Sequence, residues 1–238
     1  MRKTNRPVKV TAYLASPICG HVPMLESALI SLMGCHMPAI RDTRHGDRHT
    51  RRDWNGWENI PIPIAWGEIG GWHIPLSSSP IYRADSEEVA YVTSPADFDL
   101  DALKTGGANK INITGGEFKS IRLPRRIILA ERVVWFAVAR AHGGNGSAGS
   151  SLRHRLRQIA AIGQDTGIGY GRVARWNVDL VDDDWSWYAP GDISPVLMRS
   201  LPKCAELPAD LCGAQAWFDR PAPPYHEKST ACEVVRPC

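Results

Sequence analysis

The stretch Ser151-Leu-Arg-His-Arg-Leu-Arg-Gln-Ile-Ala160, Ala161-Ile-Gly-Gln-Asp-Thr-Gly-Ile-Gly-Tyr-Gly171, Arg172-Val-Ala-Arg-Trp-Asn-Val-Asp-Leu-Val181 sets the fold. In its first third, Leu152, Leu156, Ile159 and Ala160 fall in a narrow apolar stripe at helical spacing, and Ser150 or Ser151 supplies an N-cap. In its last third, Ala174, Trp176, Val178 and Leu180 alternate, which predicts a strand from Arg172 to Val181. A glycine loop lies between them. The order helix, loop, strand excludes a dinucleotide fingerprint, in which a strand comes first and the following helix points its N-terminus at the pyrophosphate. What is left is a loop without a Cβ at Gly167, Gly169 and Gly171, flanking Tyr170, through which backbone amides can approach a phosphate. Arg172 and Arg175 at its exit can add charge-assisted contacts. The other reading is a plain glycine turn from helix to strand.

Upstream, Arg125 to Ala141 is dense in β-branched and aromatic residues and reads as a central strand, followed by a soft linker from Gly143 to Ser150. At the start of the chain Val8, Val10, Ala12 and Leu14 alternate with Lys9, Thr11 and Tyr13, predicting a half-buried strand with a polar, partly aromatic outer face. Pro17 to Pro23 breaks it. Met24, Leu25, Ala28, Leu29, Leu32 and Met33 then recur at helical spacing, and Gly34 or Pro38 ends that helix. A long irregular insertion follows. Arg41 to Asp53 has no apolar residue and cannot be a core element. Trp54 to Pro80 is rich in Trp, Pro and Gly, and the Ile-Pro alternation from Ile60 to Ile64 fits only an edge or an extended arm. Tyr82 to Ser120 reads as strands and turns. After Asp182, Ser194 to Leu201 reads as a short helix, and nothing is assigned beyond Lys203.

Strand, helix, insertion, strand, helix, loop, strand, with one more strand inside the insertion, is the split β-α-β order. The predicted class is therefore α+β: a ferredoxin-like antiparallel sheet with two helices behind it and one face open, the face on which RNA-recognition folds hold bases. The expected organisation is one domain over residues 1–200, with an inserted arm at about 41–121, and a tail over 201–238 that contains Pro and Cys.

With 238 residues and 43% hydrophobic content the chain can bury a core without staples. A net charge of +3 is too weak to imply a nucleic-acid partner by itself, so local clustering must carry that argument. Cys19, Cys35, Cys204, Cys212, Cys232 and Cys238 lack zinc-knuckle spacing and read as reduced thiols. No secretory leader and no apolar run near the ~20 residues of a membrane span is found, which predicts a cytoplasmic protein.

Two basic clusters stand out. Arg41, Arg44, Arg48, Arg51 and Arg52, with His45 and His49, are either an RNA contact or a solvated loop diluted by aspartates. Lys119, Arg122, Arg125 and Arg126 follow Gly115-Gly116 and either track a phosphate backbone or end a solvated strand. Arg153, Arg155 and Arg157 read as a solvated helix face. His154 is the one candidate general base for RNA cleavage, though a helical His is more commonly structural. The nine Trp could stack on bases, but packing of irregular segments is the better reading. No Walker loop, zincin or nucleophile-elbow motif occurs, and Asp182-Asp183-Asp184 reads as a solvated turn rather than a magnesium site.

The opening Val10-Thr-Ala-Tyr-Leu-Ala-Ser-Pro17, the segment Ile74-Pro-Leu-Ser-Ser-Ser-Pro80 and Thr166-Gly-Ile-Gly-Tyr-Gly171 resemble the RAMP superfamily of CRISPR proteins, most of all the guide-RNA handle-capping subunit of type IV effector complexes. The resemblance spans roughly residues 8–200 and implies a non-catalytic RNA-binding subunit without cofactor or metal. By that likeness the glycine loop Gly167 to Arg172, the sheet face and an arm within Ser77 to Ile121 hold the 5′ handle of the guide RNA. Neighbouring backbone and large subunits are the implied protein partners, and target DNA is met through pairing with the guide. The Arg41–Arg52 run matches no motif of the family, so its RNA role rests on charge alone. The alternatives are a metal-independent endoribonuclease processing guide precursors and a pure assembly module.

Overall fold

The computed structural model describes residues 5–34, 61–94, 121–140, 148–204, 207–208, 211, 215–221 and 232–237. In chain order its elements begin with β1 (Arg6–Leu14), β2 (Ile18–Cys19) and α1 (Leu25–Gly34). The insertion contributes β3 (Trp66–Ile69), β4 (Trp72–Pro75) and β5 (Ser86–Ser94), and β6 (Ile121–Leu129) returns from it. Next come β7 (Arg132–Ala139), α2 (Ala148–Leu156) and β8 (Val173–Leu180). The C-terminal part adds β9 (Tyr188–Ala189), β10 (Val196–Leu197), β11 (Leu201–Pro202), β12 (Gln215–Asp219) and β13 (Cys232–Arg236). The protein is α+β, with two α-helices and several small antiparallel sheets among the described residues.

The sheet that organises the rest has the order β7-β1-β8, all antiparallel. Its register puts Val10 between Trp135 and Val178, and Ala12 between Val133 and Trp176. Because side chains alternate across a strand, Val8, Val10, Ala12, Val133, Trp135 and Ala137 share one face, and all are buried. Leu25 and Leu29 of α1 and Leu152 and Leu156 of α2 close that face and are fully buried in the same cluster. The strand–helix pairs read at both ends of the chain thus meet in one core. The outer face carries Lys9, Thr11 and Tyr13.

On its other edge β7 meets the insertion through isolated bridges, Ile64 to Ala139, Ser77 to Ala137 and Ile81 to Val134. Ile62 and Ile64 are fully buried there, and Pro63 supplies only a carbonyl, to the Arg140 N–H. This is the edge placement that an Ile-Pro alternation allows.

Two expectations are corrected. Arg125 to Ala141 is not one strand: the chain turns at Ala130 and Glu131, so β6 joins a sheet of order β2-β6-β5 while β7 joins β1. The exposed charged pair Glu131-Arg132 marks the break, because a strand through the core has no place for it. Ser194 to Leu201 is extended rather than helical: β10 follows Pro195, and β11 includes Pro202. Leu197 and Leu201 there build a second small core with Ile69 and Ile74 of the β3–β4 hairpin. The tail also holds a sheet of order β11-β13-β12.

Candidate nucleic-acid interface

The glycine loop is tied to the end of β1. The Ser16 hydroxyl donates to the Gly169 carbonyl at 2.8 Å and accepts from the Arg172 N–H at 2.9 Å. Gly171 N–H donates to the Pro17 carbonyl at 2.7 Å, and Ala15 N–H to the Arg172 carbonyl at 2.8 Å. At the loop's entrance the Cys19 thiol donates to Asp165 at 3.3 Å. Arg125 Nε lies 2.9 Å from the same carboxylate, a charge contact without the alignment of a hydrogen bond. Burial, the bond to Asp165 and its negative charge together push the Cys19 thiol above its ordinary value.

The three glycines differ in what they do. Gly171 has φ +63°, and a Cβ there would run into the Ile162 carbonyl. Gly169 has φ +104°, again the region that favours glycine. Gly167 needs neither allowance, and a Cβ on it would meet open space. The amides of Ile168, Gly169, Gly171 and Arg172 already donate within the protein, to Asp165, Thr166, Pro17 and Ser16. These bonds dock the loop on the end of β1, so that it aims the side chains beside it, and those four amides are engaged within the protein.

What it aims lies on the outer face of the sheet. Register places Tyr13 between Arg175 on β8 and Arg132 on β7. Arg175 holds its guanidinium 4.0 Å from the centre of the Tyr13 ring. Arg132, Arg172 and Arg175 are all exposed, so this end of the face is cationic and aromatic. The other end differs: Lys9 sits opposite Asp179, and Phe136 lies under Trp185 at 4.8 Å between ring centres.

The second basic cluster is spread out. Arg125 faces Asp165, and Arg126 is held by Glu87 in contacts of 2.6 and 3.1 Å. That bond to Glu87 pushes the Arg126 guanidinium above its ordinary value. Arg122 lies in β6 opposite Thr93. Lys119 and the run Arg41, Arg44, Arg48, Arg51 and Arg52 lie outside the described residues. Of the helix arginines, Arg153 donates to the Val178 carbonyl at 2.7 Å and so binds the chain rather than solvent alone. His154 stands on α2, in the layer behind the sheet, with its ring 3.2 Å from the Gln158 amide. Asp184 accepts from the Ser186 N–H at 2.9 Å, as a turn residue does. Trp176 and Trp187 donate to the carbonyls of Ile159 and Pro75, in line with a packing role.

The sequence reading missed two groups. Tyr13 and Arg132 were visible as outward positions of two strands, but only the register makes them neighbours. Glu26 and Arg199 are both buried, 3.2 Å apart, with Ser77 Oγ donating to Glu26 at 2.5 Å. Arg199 also donates to the carbonyls of Pro75, Ser77 and Pro221. Nothing local marks that pair.

No helix among the described residues is long and apolar enough to cross a membrane. The chain matches no family model, and no curated protein is similar to it in sequence.

Proposed function

We propose that this protein is a non-catalytic RNA-binding subunit of a CRISPR ribonucleoprotein complex, a RAMP-type protein that caps the 5′ handle of the guide RNA. The observation that carries the reading is the strip Arg172, Arg175, Tyr13 and Arg132, laid across one end of the outer sheet face beside a glycine loop docked on β1. Arginines beside a half-buried aromatic ring on an antiparallel sheet suit single-stranded RNA, where phosphates need cations and unpaired bases need a stacking partner. A ferredoxin-like core is part of the proposal. The order β8-β1-β7, with α1 after β1 and α2 before β8, follows the split β-α-β pattern, and the bridged segment beside β7 takes the place of the fourth strand. Work inside the cytoplasm, beside backbone and large subunits, belongs to the same proposal, as does contact with target DNA through the guide.

An endoribonuclease has less support. Its one candidate base, His154, stands in the helix layer, away from the arginine strip.

The test is a labelled repeat-derived RNA mixed with the full chain in EDTA and resolved on native and denaturing gels. The expected result is a retarded, intact RNA, with R172E/R175E weakening retention more than about tenfold by reversing two phosphate-facing charges. Cleaved RNA would overturn the non-catalytic reading. Unshifted RNA, or retention indifferent to the two charge reversals, would favour an assembly module.

A further inference from the structure

Beside Arg132 the outer face opens into a cavity of about 500 Å³, within the range of small-ligand clefts. Its apolar wall is Ile81 and Val134, which exchange both backbone hydrogen bonds, N–H to O, at 2.8 and 2.9 Å, and so present their side chains on one face. Ile81 is 41% exposed, an unusual state for an isoleucine beside the core. Arg83, Arg132, Asp85 and Glu131, all four exposed, supply the charged lining, and the half-buried Tyr82 completes it. The Glu131 carbonyl accepts from the Leu14 N–H at 2.9 Å, which joins this turn to the end of β1 next to Tyr13.

We infer that this cavity takes one unpaired nucleobase bearing an exocyclic amine, leaving the arginine strip to hold the flanking phosphates. The inference rests on the RNA-binding reading above and adds a base preference to it. The apolar wall offers a flat surface for a base face, as unstacked bases require. Two carboxylates line the same space, and an ionised carboxylate only accepts hydrogen bonds. The amine of cytosine or adenine meets them as a donor. Uracil carries a carbonyl where cytosine carries that amine, so this contact is lost. Arg83 and Arg132 keep the site attractive to the anionic strand despite the carboxylates.

The experiment compares fluorescent rC6 and rU6 by anisotropy with the full chain, because these oligomers share backbone and ring size and differ at the base edge. Unaltered protein is expected to bind rC6 about tenfold tighter than rU6, the scale of one satisfied against one unsatisfied polar contact. In D85N/E131Q each side chain gains a donor, so rU6 affinity should rise toward that of rC6; unchanged circular dichroism would show that the variant is folded. Equal binding of the two oligomers by the unaltered protein, or a preference that survives D85N/E131Q, would overturn the base pocket and leave the RNA-binding reading standing. Failure to bind either oligomer would overturn both.

Discussion

Gly171 carries a demand that no other residue type meets. It combines a left-handed backbone with a carbonyl in the place of a Cβ. Gly171→Ala should therefore cost more than ~2 kcal/mol, since the left-handed conformation alone costs ~1–2 kcal/mol and the Ile162 carbonyl must also move. Gly167→Ala, which meets open space, should be nearly neutral in the same urea titration. Equal losses at the two positions would contradict this division of roles. The sequence marked all three glycines alike, because composition does not tell a glycine required by φ from one that only leaves a surface open. It did mark Arg172 and Arg175, since an arginine at the exit of a glycine loop is a local pattern. Arg126 shows the reverse: its charge was legible but its partner Glu87, on the neighbouring strand, was not.

At the level of elements, the joint between β2 and the loop couples packing to protonation. Cys19 is buried and donates to Asp165, so the folded chain keeps the thiol proton to a higher pH than the unfolded chain, whose value is near 9.0. The resulting stability is complete below the unfolded value and is lost as pH rises through the folded one. Thermal melts should therefore show the midpoint falling above about pH 9. Cys232 and Tyr188 are raised too, so the informative quantity is the part of that slope missing in Cys19→Ala. If the variant keeps the full slope, the Cys19–Asp165 contact is not the cause. Most elements were legible because their periodicity was strong: β1, β8 and α1 follow the alternation and spacing of their apolar residues. The split between β6 and β7 was not, because continuous β-branched runs on both sides of Ala130 carry no period with which to place a turn. The second small core was missed for a related reason. Its strands are two to five residues long, too short for a pattern.

Across the whole molecule, the pairing of Glu26 with Arg199 ties α1 to the C-terminal strands over 173 residues of chain. Removing one partner leaves a buried charge uncompensated. Arg199→Met or Glu26→Leu alone should each lower stability by ~3–5 kcal/mol. The double variant should cost less than the sum, with a coupling of about 1–3 kcal/mol in a double-mutant cycle by urea denaturation. Additive losses would mean that Arg199 acts independently of Glu26, through its other contacts such as the carbonyls of Pro75, Ser77 and Pro221. No sequence pattern announces such a contact, because its chemistry depends on distance in space alone. The pair also bears on synthesis. A chain leaves the ribosome from its N-terminus, so α1 is made long before Arg199 exists. Until that residue emerges, the Glu26 carboxylate lacks its contact with Arg199, and α1 lacks one of the ties that hold it in the folded chain. Completion of the fold therefore waits until Arg199 has been made, and a chain cut short before that residue should yield a product that chaperones hold and proteases clear.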